Sequence, residues 1–252
     1  MSTPTGKRPV TAHASMAEPP RQAATRTRWI LAEPRDVPGA ILPAAGNESL
    51  AALVSELVAQ VDAADPCQAG HSVRVAALAT MLGASIGMGE SELRSLRIAA
   101  LLHDVGKIAV PVEILRKSTK LSVPEASAVR RHTVYGGAIL RRIPVLAFAA
   151  STARWHHERW DGLGYPDGLV GEAIPLFARV VAVADALDAM TSVRPYRAAI
   201  AMDAAFEELE AHAGAQFDPL IVSAAGPLVG ADGFRNSWDL LVEEIESLPV
   251  AA

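Results

Sequence analysis

From Glu48 onward, apolar residues return every three or four positions along the chain. Leu50, Leu53, Val54, Leu57, Val58 and Val61 fall on one face of a 3.6-residue period, which predicts an amphipathic helix. Val73, Ala76, Ala77, Leu78 and Met81 predict a second helix, ending near Gly83 or Gly87. A third runs from about Glu90 to Leu102 and stops near Gly106. Ser122-Val123-Pro124-Glu125 has the form of a capping box and opens a helix predicted to run through Arg141, with Pro144 closing it. Val145 to His156, Leu176 to Met190, Met202 to Ala213 and Phe217 to Leu228 read as helices too. Few stretches alternate at period two, so the fold class is all-α.

The first 45 residues break this pattern. Pro4, Pro9, Pro19, Pro20, Pro34, Pro38 and Pro43 interrupt any regular element, and Trp29-Ile30-Leu31 is the only apolar foothold. This predicts a disordered, Pro-rich N-terminal arm over 1–45, a helical domain over 46–230 and an amphipathic C-terminal helix over 231–252. No sensor or receiver domain is expected ahead of the bundle, since the arm is too short for one.

Composition narrows the class further. Hydrophobic residues make up 50% of the 252 and aromatics only 5%, so the core is built from Ala, Leu and Val, as closely packed helices require. A net charge of -5 gives no overall attraction to a nucleic acid polymer or an anionic membrane. An anionic ligand would therefore need local cations or metal ions. The single cysteine, Cys67, excludes an intrachain disulfide. With no apolar run of transmembrane length and no signal-peptide pattern, no membrane contact and a cytoplasmic location are expected.

Against this background the histidines stand out. Of seven, His13 lies in the arm and His212 near a helix end, where ordinary surface roles suffice. His71 opens H-S-V-R, and His103-Asp104 ends an apolar helix in L-L-H-D-V-G-K. His132 lies on the capped helix, and His156-His157 ends the next. Asp185 and Asp188 sit inside the apolar stretch V-V-A-V-A-D-A-L-D-A-M, where a carboxylate is costly to bury unless a metal or an arginine compensates it; Arg194 and Arg197 are nearby candidates. Imidazoles and carboxylates together are the donors of Zn, Fe or Mn sites. The number here exceeds one tetrahedral site and suffices for two ions, which can acidify water and stabilise charge on a phosphoryl group under in-line attack.

These motifs, in order, are H-S-V-R (71–74), H-D-V-G-K (103–107), His132, H-H-E-R-W-D-G-L-G-Y-P (156–166), Asp185 with Asp188, and R-P-Y-R (194–197). Together they resemble the HD-GYP domain, a branch of the HD superfamily of metal-dependent phosphohydrolases. The resemblance implies an HD-superfamily helical bundle with the additional HD-GYP helices. It implies hydrolysis of cyclic di-GMP to pGpG and on to GMP. The metal ligands would be His71, His103, Asp104, His132, His156, His157 and Asp185, with Asp104 bridging two divalent ions. Iron or manganese is expected, with zinc, magnesium and nickel as the other ions such donors accept.

By the same resemblance Lys107 would hold a phosphate oxygen, although a cap on its helix end is the alternative. Arg194 and Arg197 would clamp the second phosphate or pair with Asp188. Gly164, Tyr165 and Pro166 would shape the substrate groove, with Asp161-Gly162 turning the chain. Glu158 is expected to support a histidine ligand, and Trp155 and Trp160 to pack. Cys67 stands where some members carry a glutamate for a third metal, so two ions rather than three are expected. At the protein level, self-association as a homodimer and a diguanylate-cyclase-type signalling partner are the candidates. A non-catalytic cyclic-dinucleotide or protein-binding module, and a phosphohydrolase for another nucleotide, are the competing readings.

Overall fold

Ser49 accepts a hydrogen bond from the Ala52 amide at 3.3 Å and so starts helix α1, Leu50–Ala64. This computed structural model describes residues 49–65, 68, 70–192 and 198–229. The expected arm, Cys67, Arg194, Arg197 and the C-terminal segment 231–252 lie outside the described residues.

Nine further α-helices follow among the described residues: α2 His71–Ser85, α3 Glu90–Leu101, α4 Val112–Leu115, α5 Val123–Arg130, α6 His132–Arg141, α7 Ala150–Trp155, α8 Leu176–Thr191, α9 Met202–Ala211 and α10 Pro219–Val229. Short 3-10 turns occupy Val105–Ala109, Pro144–Ala149 and Gly171–Ala173. Among the described residues no strand forms, and one isolated bridge joins Ala213 to Phe217. The all-α expectation holds. No helix among these residues is long and apolar enough to cross a membrane.

Two apolar clusters hold the bundle together. One gathers α2, α3, α8, α9 and α10 around residues such as Leu78, Leu82, Leu96, Leu187, Leu209 and Ile221. The other joins α1, α3, α6 and α7 through Leu57, Leu102, Leu140 and Leu146. Each such fully buried side chain contributes about 1.5–3 kcal/mol by leaving water. Leu101 and Phe177 pack against both clusters, so the two halves share one interior.

The helix predicted from Ser122 to Arg141 is two helices. Its capping box forms as expected, with Ser122 N donating to Glu125 Oε2 at 2.7 Å and Glu125 N to Ser122 Oγ at 3.4 Å. The break falls at Arg131. There His132 Nδ1 takes the Val129 carbonyl at 2.7 Å and Thr133 Oγ1 takes the Arg130 carbonyl at 3.0 Å. Side chains thus compete for carbonyls that a continuous ladder would use. Likewise Val145–His156 is a 3-10 turn followed by α7 rather than one helix.

Gly106 decides how the His-Asp segment meets α6. A Cβ there would run into the His132 carbonyl and the Gly136 amide. Only glycine lets the turn after Asp104 approach the start of α6 this closely.

Candidate metal centre

Asp104 is buried at the point where α3 has ended and the Val105–Ala109 turn begins. Its Oδ1 lies 3.2 Å from His132 Nε2 and 3.7 Å from His156 Nε2. Its Oδ2 lies 3.5 Å from His103 Nε2 and 3.8 Å from His71 Nε2. Asp185 Oδ1 approaches His71 Nε2 at 3.4 Å. Two groups of donors therefore share one carboxylate: Asp104 with His132, His156 and His157, and Asp104 with His71 and His103. All seven residues expected as ligands are brought together.

The other ring nitrogens explain the orientation. His103 Nδ1 is 2.7 Å from the Ala100 carbonyl, and His132 Nδ1 is 2.7 Å from that of Val129. His156 Nδ1 lies 3.1 Å from the Ala153 carbonyl and 3.2 Å from that of Thr152. A carbonyl only accepts, so each Nδ1 carries the proton and each Nε2 presents a lone pair inward. His71 does the same with a carboxylate, its Nδ1 donating to Asp188 Oδ2 at 2.7 Å.

Asp188 has an arginine partner that the sequence reading did not name. Its partner is Arg74, whose Nε donates to Oδ1 at 2.6 Å and whose Nη2 donates to Oδ2 at 3.3 Å. Ser192 Oγ adds a third donor at 3.0 Å. Burial opposes its charge, but the bonds from His71 and Arg74 prevail and lower its pKa to about 2. The H-S-V-R motif thus places His71 and Arg74, two of the partners of Asp188, on one helical turn of α2.

These residues fit divalent cations. His103 Nε2 is buried with no hydrogen-bond partner, and His132 Nε2 faces His156 Nε2 at 3.4 Å. Inward lone pairs crowded about an anionic carboxylate are satisfied by a cation and by little else. Burial pushes the His103 imidazole down to about 4, so it is neutral and ready to ligate. Burial, reinforced by the neighbouring His156 and His132, holds His157 well below the usual imidazole range. Burial opposes charge on Asp104 as well, yet the Lys107 ammonium beside it keeps it well below the usual carboxylate range.

Lys107 is buried beside this cluster. Its Nζ lies 2.7 Å from Asp104 Oδ2, 2.9 Å from Gln68 Oε1 and 3.4 Å from Asp65 Oδ2. Burial opposes its charge, but Asp104 outweighs burial and raises its pKa. It is therefore no mere helix cap. Asp65 and Gln68 escaped sequence reading, since neither belongs to a recognised motif and the contacts span about forty residues.

The G-Y-P segment closes over His157. Tyr165 stacks at 5.0 Å from the His157 ring, its amide donates to the His157 carbonyl at 3.1 Å, and the Arg130 guanidinium lies 5.1 Å from the Tyr165 ring. Glu158 does not support a histidine as expected. Its carboxylate accepts from the Asp167, Gly168 and Leu169 amides at 2.7, 3.0 and 3.1 Å and stakes down the loop after Pro166. Asp167 is gripped in turn by Arg154 Nε and Nη2 at 2.8 and 2.9 Å and by Trp155 Nε1 at 2.7 Å. Trp155 is thus a loop anchor, and Gly162, at φ +78, makes the expected turn.

A groove runs across the cluster in two lobes, which share His157, Tyr165, Asp185 and Ala189. One, of about 510 Å³, is lined by Arg130, Gly164 and the α8 alanines; the other, of about 500 Å³, by Lys107, Lys117 and Lys120. Both fall within the range of small-molecule sites.

An all-helical bundle that converges histidines on a buried His-Asp pair, beside a groove lined by lysines, arginines and carboxylates, defines a class of His/Asp metal centres. More particularly, the HD domain family pattern matches residues 52–221, and the chain belongs to that family. The cyclic di-GMP phosphodiesterase response regulator RpfG of Xanthomonas campestris pv. campestris is 43% identical over 173 residues, 68% of this chain and 46% of that protein. The 3'3'-cGAMP-specific phosphodiesterase 3 of Vibrio cholerae is 37% identical over 189 residues, 75% of this chain and 39% of that protein. The chain spans less than half the length of these curated relatives. The crystal structure of the V. cholerae cyclic GMP-AMP specific phosphodiesterase V-cGAP3 shares the fold, with a TM-score of 0.60 at 21% identity over 78% of this chain and 54% of that one.

Proposed function

We propose that this chain is a metal-dependent phosphodiesterase that hydrolyses cyclic di-GMP to pGpG and on to GMP. The observation that carries the reading is the shared carboxylate: Asp104 belongs to two donor groups at once. His71, His103, Asp104 and Asp185 would hold one ion, and Asp104, His132, His156 and His157 the other. Two divalent ions, iron or manganese in this reading, would supply Lewis acidity at the phosphoryl group and acidify water beside it.

The chain's own residues do the rest. The Nδ1 bonds fix the aim of the imidazoles, so little reorganisation accompanies binding. Lys107, held by Asp104, Asp65 and Gln68, presents a cation to the second lobe, where a phosphate oxygen would lie. Tyr165 and Arg130 wall the first lobe and orient the nucleotide. Arg194 and Arg197 would clamp the second phosphate. The names of the relatives, two thirds or more of this chain being aligned with each, support a cyclic dinucleotide as substrate.

Anaerobic purification, elemental analysis and chromatography of products from cyclic di-GMP with Mn²⁺ or Fe²⁺ test the reading. Two ions per chain and pGpG as product are expected, and a metal-loaded protein that releases neither pGpG nor GMP would refute it. The V. cholerae relative named for cGAMP supports one alternative, a mixed cyclic GMP-AMP substrate.

A further inference from the structure

The lobe lined by Arg130 and Gly164 has a floor unlike the rest of the groove. Ala182, Ala186 and Ala189 follow one another on α8 at helical spacing and line it with a strip of methyl groups. Such a strip accepts a planar ring by dispersion contact over its whole face.

Its far rim is polar and comes from the α9–α10 corner. Gln216 Oε1 accepts from Arg159 Nη1 at 3.0 Å, and Asp161 takes the other arms of Arg159 at 3.1 and 2.6 Å. The Gln216 oxygen is therefore committed, and its amide group has N–H donors left to offer. Glu208 stands one helical turn before His212 on the same rim. Its side chain is 59% exposed, its ion-pair neighbour is His212 at 3.7 Å, and among the described residues no lysine or arginine pairs with it. The rim thus combines a carboxylate, a pure acceptor that His212 touches at one oxygen only, with an amide donor.

That combination matches guanine. Its Watson–Crick edge offers N1–H and N2–H donors, which a carboxylate accepts in pairs, beside an O6 acceptor for an amide. Adenine presents a lone pair at N1, which a carboxylate repels.

We propose that this lobe is a purine subsite and that Glu208 is its guanine-reading residue. The proposal rests on the phosphodiesterase reading in that the purine belongs to a cyclic dinucleotide with a phosphate at Asp104. A site that reads guanine on one side accepts cyclic di-GMP and cyclic GMP-AMP and rejects cyclic di-AMP.

The test is calorimetric titration of GMP and of AMP into the metal-loaded full chain and into Glu208→Gln, with turnover of bis(p-nitrophenyl) phosphate, a diester without a base, measured on the wild type. GMP is expected to bind about tenfold or more tightly than AMP in the wild type. In Glu208→Gln the preference falls toward unity through weaker GMP binding while AMP still binds, which also shows that the variant is folded. Equal affinities in the wild type, or a preference that survives in Glu208→Gln, overturn the proposal. Diester turnover without a GMP preference removes the subsite and leaves the phosphodiesterase reading standing. A Glu208-dependent GMP preference without diester turnover does the reverse.

Discussion

Asp188 Oδ2 lies 2.7 Å from His71 Nδ1, across 117 residues of sequence, and fixes which nitrogen of that ring faces the centre. Replacing Asp188 by Asn keeps the shape but removes the charge that orients the imidazole and balances Arg74. Metal affinity should fall about 10–100-fold, measured by competition with a chromophoric chelator. Unchanged affinity would mean that the His71 tautomer is set elsewhere.

Because one carboxylate belongs to both donor groups, single substitutions should differ in stoichiometry. Asp104→Asn is expected to lose both ions and all phosphodiester turnover, whereas His103→Ala or His157→Ala should lose one ion. Metal content by elemental analysis, read beside turnover, separates these cases.

Lys107 neutralises buried acids on two sides. Lys107→Met leaves Asp104 and Asp65 without their cation, and breaking such a pair costs about 3–5 kcal/mol. Chemical denaturation of the metal-free chain should report a loss of that order, with turnover lowered as well. A variant as stable as the wild type would contradict the pairing.

Gly106→Ala tests the close approach of the His-Asp turn to α6. The added methyl meets the His132 carbonyl, so stability should drop by at least about 1–3 kcal/mol and the His132 donor should shift. Thermal melts combined with metal titration read both effects.

At the surface, Lys117 Nζ lies 2.8 Å from each oxygen of Glu125, and Ser122 completes the box. These bonds lower the Glu125 pKa from about 4.5 to about 2. A carboxyl whose pKa is depressed by folding stabilises the fold above its unfolded pKa and loses that contribution as pH falls through the folded one. The melting advantage of the wild type over Glu125→Gln should therefore be full above pH 4.5 and fade toward pH 2. Added salt should shrink it. A difference independent of pH would refute this assignment.

The helices were legible because periodicity survives in a chain rich in Ala, Leu and Val, and the residues that converge on Asp104 because their motifs are short and ordered. What was not legible depends on contacts between distant segments. Arg74 and Asp188 are 114 residues apart, and nothing local distinguishes Arg74 from Arg194 as the partner. Glu158 sits beside two histidines in sequence, yet its carboxylate turns to amides nine to eleven residues ahead. The break at Arg131 was hidden because His132 and Thr133 have unremarkable propensities. Their side chains act on carbonyls, which a hydrophobic pattern does not register.

The carbonyl and carboxylate anchors on four histidine rings have a consequence for the living chain. Ring rotation is frozen when the bundle folds, so the entropy of ordering the donors is lost then and not when an ion arrives. Ion binding and folding therefore draw on a common free energy. An ion present at a thousand times its dissociation constant would add about 4.1 kcal/mol to the stability of the fold. Heat tolerance then becomes a gauge of free divalent metal, and starvation for that metal would show first as a protein that melts early.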